Sequence, residues 1–503
     1  MDPVRTRELV AEEFKSSVIG TLCDYIRIPN SSPAYDTTKT NSAETEKVIT
    51  LFQDWVTKQN VPELEMSVHR LENRTPLLFL SMPSSGDYED SDAILMYGHL
   101  DKQPPFEGWE SDLGPYKPVI KENKHGEVLY GRGGADDGYS LFSCVLALKA
   151  LHDQQISHAR VVVLIEASEE SGSPDLPMYL ELLSADIGKV SLVICLDSGS
   201  GDYSGLWLTN SLRGLLVANL KVTTVGEGVH SGIAGGIVSD SFRVIRKIIS
   251  VIENESTGEV CSDFQVHIPS GRLQEVEQLC DILGDEVWRQ FHLPNGIPMR
   301  GGLNPPKDNN FQMVLDNTWR ANLTVTGQDG LPSCAAGGNV LRPSTCVKLS
   351  LRLPPTFDHT KAFEILQTKV EQGCPPDAVC ELSVCQAAGG YEAPILADWL
   401  KRALHETSME FFGRTFACLG SGGTIPFMGM LGRMFPSAQF VITGLLGPES
   451  NAHGPNEFLH LKYCQQLTCA VAHIIEAHGK TGHKEQTSLH ANVLHTYPQG
   501  ACC

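Results

Sequence analysis

Five short apolar runs, Leu77–Leu80, Ala93–Tyr97, Val161–Ile165, Leu192–Leu196 and Phe440–Ile442, punctuate this chain, with stretches of helical spacing between them. Runs this short and this uniformly apolar read as strands buried on both faces. The helical spacing shows at Phe14, Val18, Leu22 and Ile26 and at Leu141, Cys144, Val145 and Leu148. It returns at Leu400, Leu404 and Phe411 and at Leu467, Val471 and Ile474. Strands alternating with helices predict an α/β sheet flanked by helices. From about Gly214 the pattern changes: Leu216, Ala218 and Leu220, then Val347, Leu349, Leu351 and Leu353, are apolar at alternate positions, with one long helix through Phe242, Ile245, Ile249 and Ile252. That pattern predicts an antiparallel α+β insertion. A loop-rich stretch, PNGIPMRGGLNPPKDNN at 294–310, lies inside it, and the α/β pattern resumes after Gly389–Gly390. The predicted organisation is a discontinuous α/β domain over 1–213 and 386–480, interrupted by an α+β domain over 214–385. Residues 481–503, His-, Ser- and Thr-bearing without apolar period, are expected to form a mobile or peripherally docked tail.

Charge narrows the partners. The 503 residues carry 60 Asp+Glu against 39 Lys+Arg, a formal charge of −21, with no basic stripe. Such a chain repels phosphate backbones, so no nucleic-acid partner is expected. The opening MDPVRTRELVAEEF mixes both signs of charge where a secretory signal would be apolar, and no window approaches the ~18 apolar residues of a membrane span. No membrane association and a cytoplasmic location are expected. The 15 Cys are scattered without a CxxC pair, which predicts reduced thiols and no cysteine-based metal knuckle.

The acids and histidines fall where the strands end. Ala93–Tyr97 runs into His99 and Asp101, Val161–Ile165 into Glu169-Glu170 and Leu192–Leu196 into Asp197, and Phe440–Ile442 is followed a loop later by His453. Ligands of open α/β sheets gather at the carboxyl ends of strands. A glycine-rich segment closing on Asp136-Asp137 precedes the helix through Leu141 and Leu148. No Lys-Ser/Thr follows, so it is no phosphate loop. Singly, each side chain has an ordinary use: a histidine hydrogen-bonded for structure, or an aspartate capping a helix. Together, His99, Asp136, Glu170, Asp197 and His453 offer two imidazoles and three carboxylates, a cluster that cannot stay ionised without cations. Two divalent ions ~3.5–4 Å apart, sharing one carboxylate, would satisfy it. The donor set suits zinc first, with manganese or cobalt as alternatives. Asp101, two positions beyond His99, is placed to accept the other imidazole N–H and fix the ligating tautomer. Glu169, beside Glu170 on a loop, is the candidate general base.

These residues resemble the co-catalytic zinc peptidase family that includes cytosolic non-specific dipeptidase, carnosine dipeptidase, glutamate carboxypeptidase and the acyl-amino-acid deacylases. The resemblance rests on YGHLDKQP at 97–104, LYGRGGADDG at 129–138, EASEESGS at 166–173, CLDS at 195–198, VHSGIAGG at 229–236 and SNAHGPNE at 450–457. It implies that Asp136 bridges two metals, with Glu170 beside His99 and His453 beside Asp197, that Glu169 is the base and that Asp101 orients. It further implies that the insertion is a lid and dimerisation domain, that the protein is a homodimer, and that His230 stabilises the oxyanion in the partner's site. Arg352, in LSLRLPP, matches the position that grips a substrate carboxylate, and Asn339 and Thr424 match further substrate-side positions.

The expected activity is hydrolysis of the amide bond of dipeptides or short peptides with a free C-terminus. The loop GPESNAHGPNE resembles the deacylase and carboxypeptidase branches more closely, so an N-acyl-amino-acid deacylase using the same site is the rival enzyme. A catalytically silent binding relative is the rival from another class, and the full ligand set with Glu169 speaks against it.

Overall fold

The computed structural model describes residues 1–36, 41–86, 92–289 and 309–482. The chain divides into two compact units: Met1–Thr209 with Ala393–Cys418 and Met430–Cys503, and Asn210–Glu392 with Leu419–Gly429.

The first unit is built on a six-stranded mixed sheet. In spatial order its strands are Glu65–His69, Leu77–Met82, Arg160–Glu166, Ala93–His99, Val190–Cys195 and Gln439–Ile442. The last four run parallel; the first two are antiparallel additions at one edge. Ala93–His99 is buried at every residue, as a strand covered on both faces must be. Helices Ser140–Asp153 and Leu461–Ala477 pack their apolar sides into the main core with Phe14, Val18, Leu22 and Ile26. The five apolar runs are the strands and the periodic segments are the helices. Three further strands, Val119–Asn123, Gly126–Tyr130 and Phe458–His460, form a small antiparallel sheet. The first of these is half exposed and mostly polar, so its sequence reads as a solvated face rather than a strand.

The second unit carries a four-stranded antiparallel sheet in the order Asn322–Asp329, Ser344–Leu353, Gly214–Thr223, Val379–Ala388. Burial alternates along Ser344–Leu353, so Val347, Leu349, Leu351 and Leu353 face the core with Leu216, Ala218 and Leu220. Helices Ser241–Ile252 and His359–Gly373 cover that face. Asp240 caps the first by accepting the Arg243 N–H, and Asp358 caps the second by accepting that of Thr360.

The expectation of reduced thiols needs one correction. Cys374 and Cys380 form a disulfide between the end of His359–Gly373 and the start of Val379–Ala388, their Cα atoms 6.3 Å apart. Sequence spacing did not mark them, because the turn between helix and strand brings them together. Most of the loop 294–310, and the tail from residue 483, lie outside the described residues. No described helix is long and apolar enough to cross a membrane.

Candidate metal centre

The first unit's sheet delivers the cluster at one end. His99 closes its strand with the ring fully buried, and its Nε2 lies 3.3 Å from Asp136 Oδ1 and 3.8 Å from Asp197 Oδ1. Nδ1 lies 3.0 Å from the Asp101 carbonyl and 3.5 Å from its carboxylate. A proton on Nδ1 is therefore held by Asp101, leaving Nε2 as the ligand atom. The nearer acceptor is the Asp101 backbone. Its carboxylate does a second job, accepting the N–H groups of Glu169 and Glu170, each at 3.1 Å. One aspartate thus sets both the imidazole tautomer and the turn that presents the two glutamates.

Asp136 sits in the turn Gly134–Gly138, joined to Asp137 by a cis peptide bond. Asp137 Oδ2 accepts the His99 N–H at 3.1 Å. The two oxygens of Asp136 face different partners. Oδ1 faces His99, and Oδ2 lies 3.1 Å from Nε2 of His453, which is itself 3.6 Å from Glu170 Oε2. The shortest contacts therefore pair His99 with Asp197 and His453 with Glu170, the reverse of the pairing the resemblance implies. Glu170 lies on the Glu169–Ser171 turn, while Asp197 follows the strand neighbouring that of His99.

The cluster fits metal ions. Ligand atoms of His99, Glu169 and Asp197, and of His99, Asp136 and Glu170, lie within 4.8 Å of one another. Asp137 Oδ1 and Glu170 Oε1 are buried without a hydrogen-bond donor. Orphaned carboxylate oxygens at this density carry a desolvation cost that cations would offset. Protonation reports the same imbalance. Burial raises Glu169 well above the usual carboxyl range, reinforced by Asp197. Burial and Asp136 do the same to Glu170, and Asp197 is pushed up to about 6 by burial against the opposing pull of His99. Burial would depress both imidazoles. The carboxylates of Asp101 and Asp136 instead hold His99 well above its ordinary value, and Asp136 raises His453. Asp136, contacted by both, stays well below the usual range despite burial.

A family model described as peptidase family M20/M25/M40 matches residues 95–477, which contain every member of this cluster. The chain belongs to this family. It is a metal-dependent hydrolase, a metallopeptidase. A cysteinylglycine-S-conjugate dipeptidase of Corynebacterium striatum is 25% identical over 480 residues, covering 90% of this chain and 93% of that one. Among solved structures, the di-peptidase Dug1p of Saccharomyces cerevisiae superposes with a TM-score of 0.71 at 17% identity, covering 95% of this chain and 99% of its own. The YXEP protein of Bacillus subtilis, described as a dinuclear metal-binding peptidase of the M20 family, superposes at 0.54 with 12% identity, covering 93% and 99%.

The remaining residues singled out in this M20 chain lie in the second unit, in two groups. His230 and Asn339 share a short antiparallel ladder, Val229–His230 against Val340–Leu341, where the Asn339 carbonyl accepts the Ser231 N–H at 2.9 Å. Both are exposed. Arg352 and Thr424 meet directly: Arg352 Nη1 donates to Thr424 Oγ1 at 2.9 Å, and that hydroxyl donates to the Arg213 carbonyl at 2.6 Å. Thr424 lies in Leu419–Gly429, which packs with this unit although the sequence reading assigns it to the flanking domain. Asp137 was not assigned a role from sequence; nothing in Asp-Asp says that the second acid binds the His99 backbone. Gln103 is a second omission. Its Nε2 donates to Glu170 Oε2, and its place in the same motif as His99 and Asp101 was the available signal.

Proposed function

We propose that the protein is a dipeptidase or carboxypeptidase for short peptides with a free C-terminus, working through two divalent ions, zinc first. The observation that carries this is the divided Asp136 carboxylate, one oxygen against His99 and the other against His453, with Asp197 beside His99 and Glu170 beside His453. Bound divalent ions supply Lewis acidity and bring the pKa of a water toward neutrality. The chain's own residues do the rest. Glu169, its affinity for a proton raised by burial, takes the proton of the attacking water and hands it to the departing amine. Asp101 holds the Glu169 backbone and the His99 ring in register for that transfer. Arg352, whose guanidinium donates to Thr424 and has no carboxylate partner among the described residues, is the clamp for the substrate carboxylate. Asn339 and Thr424 complete the substrate side, and His230 donates to the oxyanion in the partner subunit of a homodimer. In this reading the second unit, near residues 214–385, is the lid and dimerisation domain.

The relative of Corynebacterium striatum, named for cysteinylglycine conjugates, favours dipeptides as the substrate class. Metal analysis of the purified protein, with a parallel screen of dipeptides and N-acetylated amino acids, tests the reading. Two ions per chain and hydrolysis of the dipeptides support it. Turnover of acyl-amino acids alone would move the protein to the deacylase activity, and hydrolysis of neither with metal supplied would leave the reading without support.

A further inference from the structure

Asp136 and His453 lie on separate loops, and their 3.1 Å approach depends on how those loops are joined. Arg132 precedes the turn bearing Asp136, and Glu457 follows His453. Each side chain reaches into the other's loop. The Arg132 guanidinium donates to the carbonyls of Ala452 and Gly454, which flank His453 on either side, and at 2.8 Å to Glu457 Oε2. Glu457 in turn accepts the N–H of Gly133 at 2.9 Å, of Ala135 at 3.2 Å and of Asp136 at 3.3 Å. Both side chains are buried, at 1% and 0% exposure, and the rings of Phe106 and Trp109 lie 5.5 and 5.8 Å from the guanidinium carbon.

A buried ion pair is a poor source of stability unless its remaining donors and acceptors are used. Here all of them but the Arg132 Nε–H, which is buried without a partner, go to the backbone of the two ligand-bearing loops. We propose that Arg132 and Glu457 are positioning residues that set one half of the metal pair, holding His453 Nε2 against Asp136 Oδ2 through reciprocal contacts with the main chain beside each ligand. The His99 half has its own supports in Asp101 and Asp137 and shares with the clasp only the Asp136 main chain. The inference rests on the two-ion reading above, and it separates the two ions: damage to the clasp weakens the His453-side ion and spares the other.

The test is a Zn²⁺ titration of the metal-stripped full chain against a chromophoric chelator. The variants are Arg132→Lys, which keeps the charge but cannot span three acceptors, and Glu457→Gln, which keeps one acceptor but sets an amide NH₂ against Arg132. Wild type is expected to take up two ions. Each variant is expected to hold one at wild-type strength and the other about 10–100-fold more weakly. The weakened ion should be the one that His453→Ala loses and Asp197→Ala retains. Where a single variant does not fold, Arg132→Met/Glu457→Leu removes both charges so that neither is left buried alone, and the same result is expected of it. Two ions in wild type with unchanged affinities in the variants would overturn the clasp alone. So would equal weakening of both ions with a wild-type circular dichroism spectrum. A wild-type chain that takes up a single ion would overturn the two-ion reading and the clasp with it.

Discussion

The two histidines of the cluster face opposite oxygens of one carboxylate, yet they are held in different ways. His99 ends a strand buried throughout, its backbone N–H bound by Asp137 and its ring by Asp101. His453 rides a loop, its side chain 63% exposed, and its main chain is held by Arg132 at the carbonyls on either side of it. One half of the site is therefore a consequence of the sheet and the other of loop-to-loop contacts. A ligand fixed by a strand is more rigid than one fixed by a loop, so chemistry needing the tightest geometry belongs on the His99 side.

Glu169 provides the strongest way to break that assignment, because its carboxylate groups with His99 and Asp197. Replacing it with Gln should lower kcat about 10³-fold while metal content stays at the wild-type level. Turnover near normal, with metals bound, would remove Glu169 as the base and with it the claim that the buried side carries the proton transfer.

Metal removal discriminates the two halves next. With a chelator in excess, ions should leave in two phases, the faster from the exposed His453 side and about 10-fold ahead of the other. In His453→Ala only the slow phase should remain. A single phase in wild type, or loss of the slow one in that variant, would mean that exposure does not distinguish the sites. Uptake should also release protons, since both imidazoles sit above their ordinary value in the metal-free chain and must be neutral to ligate. Metal affinity therefore falls as pH falls. Titration calorimetry in buffers of different ionisation enthalpy should report net proton release near pH 7, to which the raised Glu170 also contributes; none released would contradict the carboxylate–imidazole contacts.

The two halves were also unequally legible in the sequence. Apolar runs ending in His99, Glu169-Glu170 and Asp197 mark a strand-end site because a doubly covered strand leaves a continuous apolar signature, and the structure puts the strands there. His453 follows its strand only after a loop, and periodicity says nothing about where a loop turns. Its place after Phe440–Ile442 makes it a candidate, and SNAHGPNE carries the resemblance, but neither fixes which ligand it meets. The pairing of ligands escaped for the same reason, since Glu170 and Asp197 choose sides through the turn at Glu169–Ser171 and not through spacing. Arg132 and Glu457, buried charges 325 residues apart, could not be joined by any local rule. In the second unit, alternation placed Arg352 on the polar face of its strand, but not the Thr424 hydroxyl that meets it.

The smallest expected effect probes what the rigid half costs. Glu166 is the register partner of His99, and its carboxylate accepts the Tyr97 hydroxyl at 2.5 Å and those of Ser173 and Ser168 at 2.8 and 3.3 Å, backing the Glu169–Glu170 turn. Burial pushes it up to about 7 from an ordinary 4.5, against the pull of the Tyr97 hydrogen bond. A carboxyl group whose folded value is raised favours folding while protonated. Its contribution is complete below about 4.5 and is lost as pH rises through about 7. Glu166→Gln, neutral at every pH and still able to accept from Tyr97, should therefore raise the transition temperature by a few degrees at pH 8, about 1–2 kcal/mol, and leave it unchanged near pH 4.5. If the variant melts lower than wild type at pH 8, the ionised carboxylate is supporting the turn rather than straining it, and the His99 side owes its rigidity to charge as well as to the sheet.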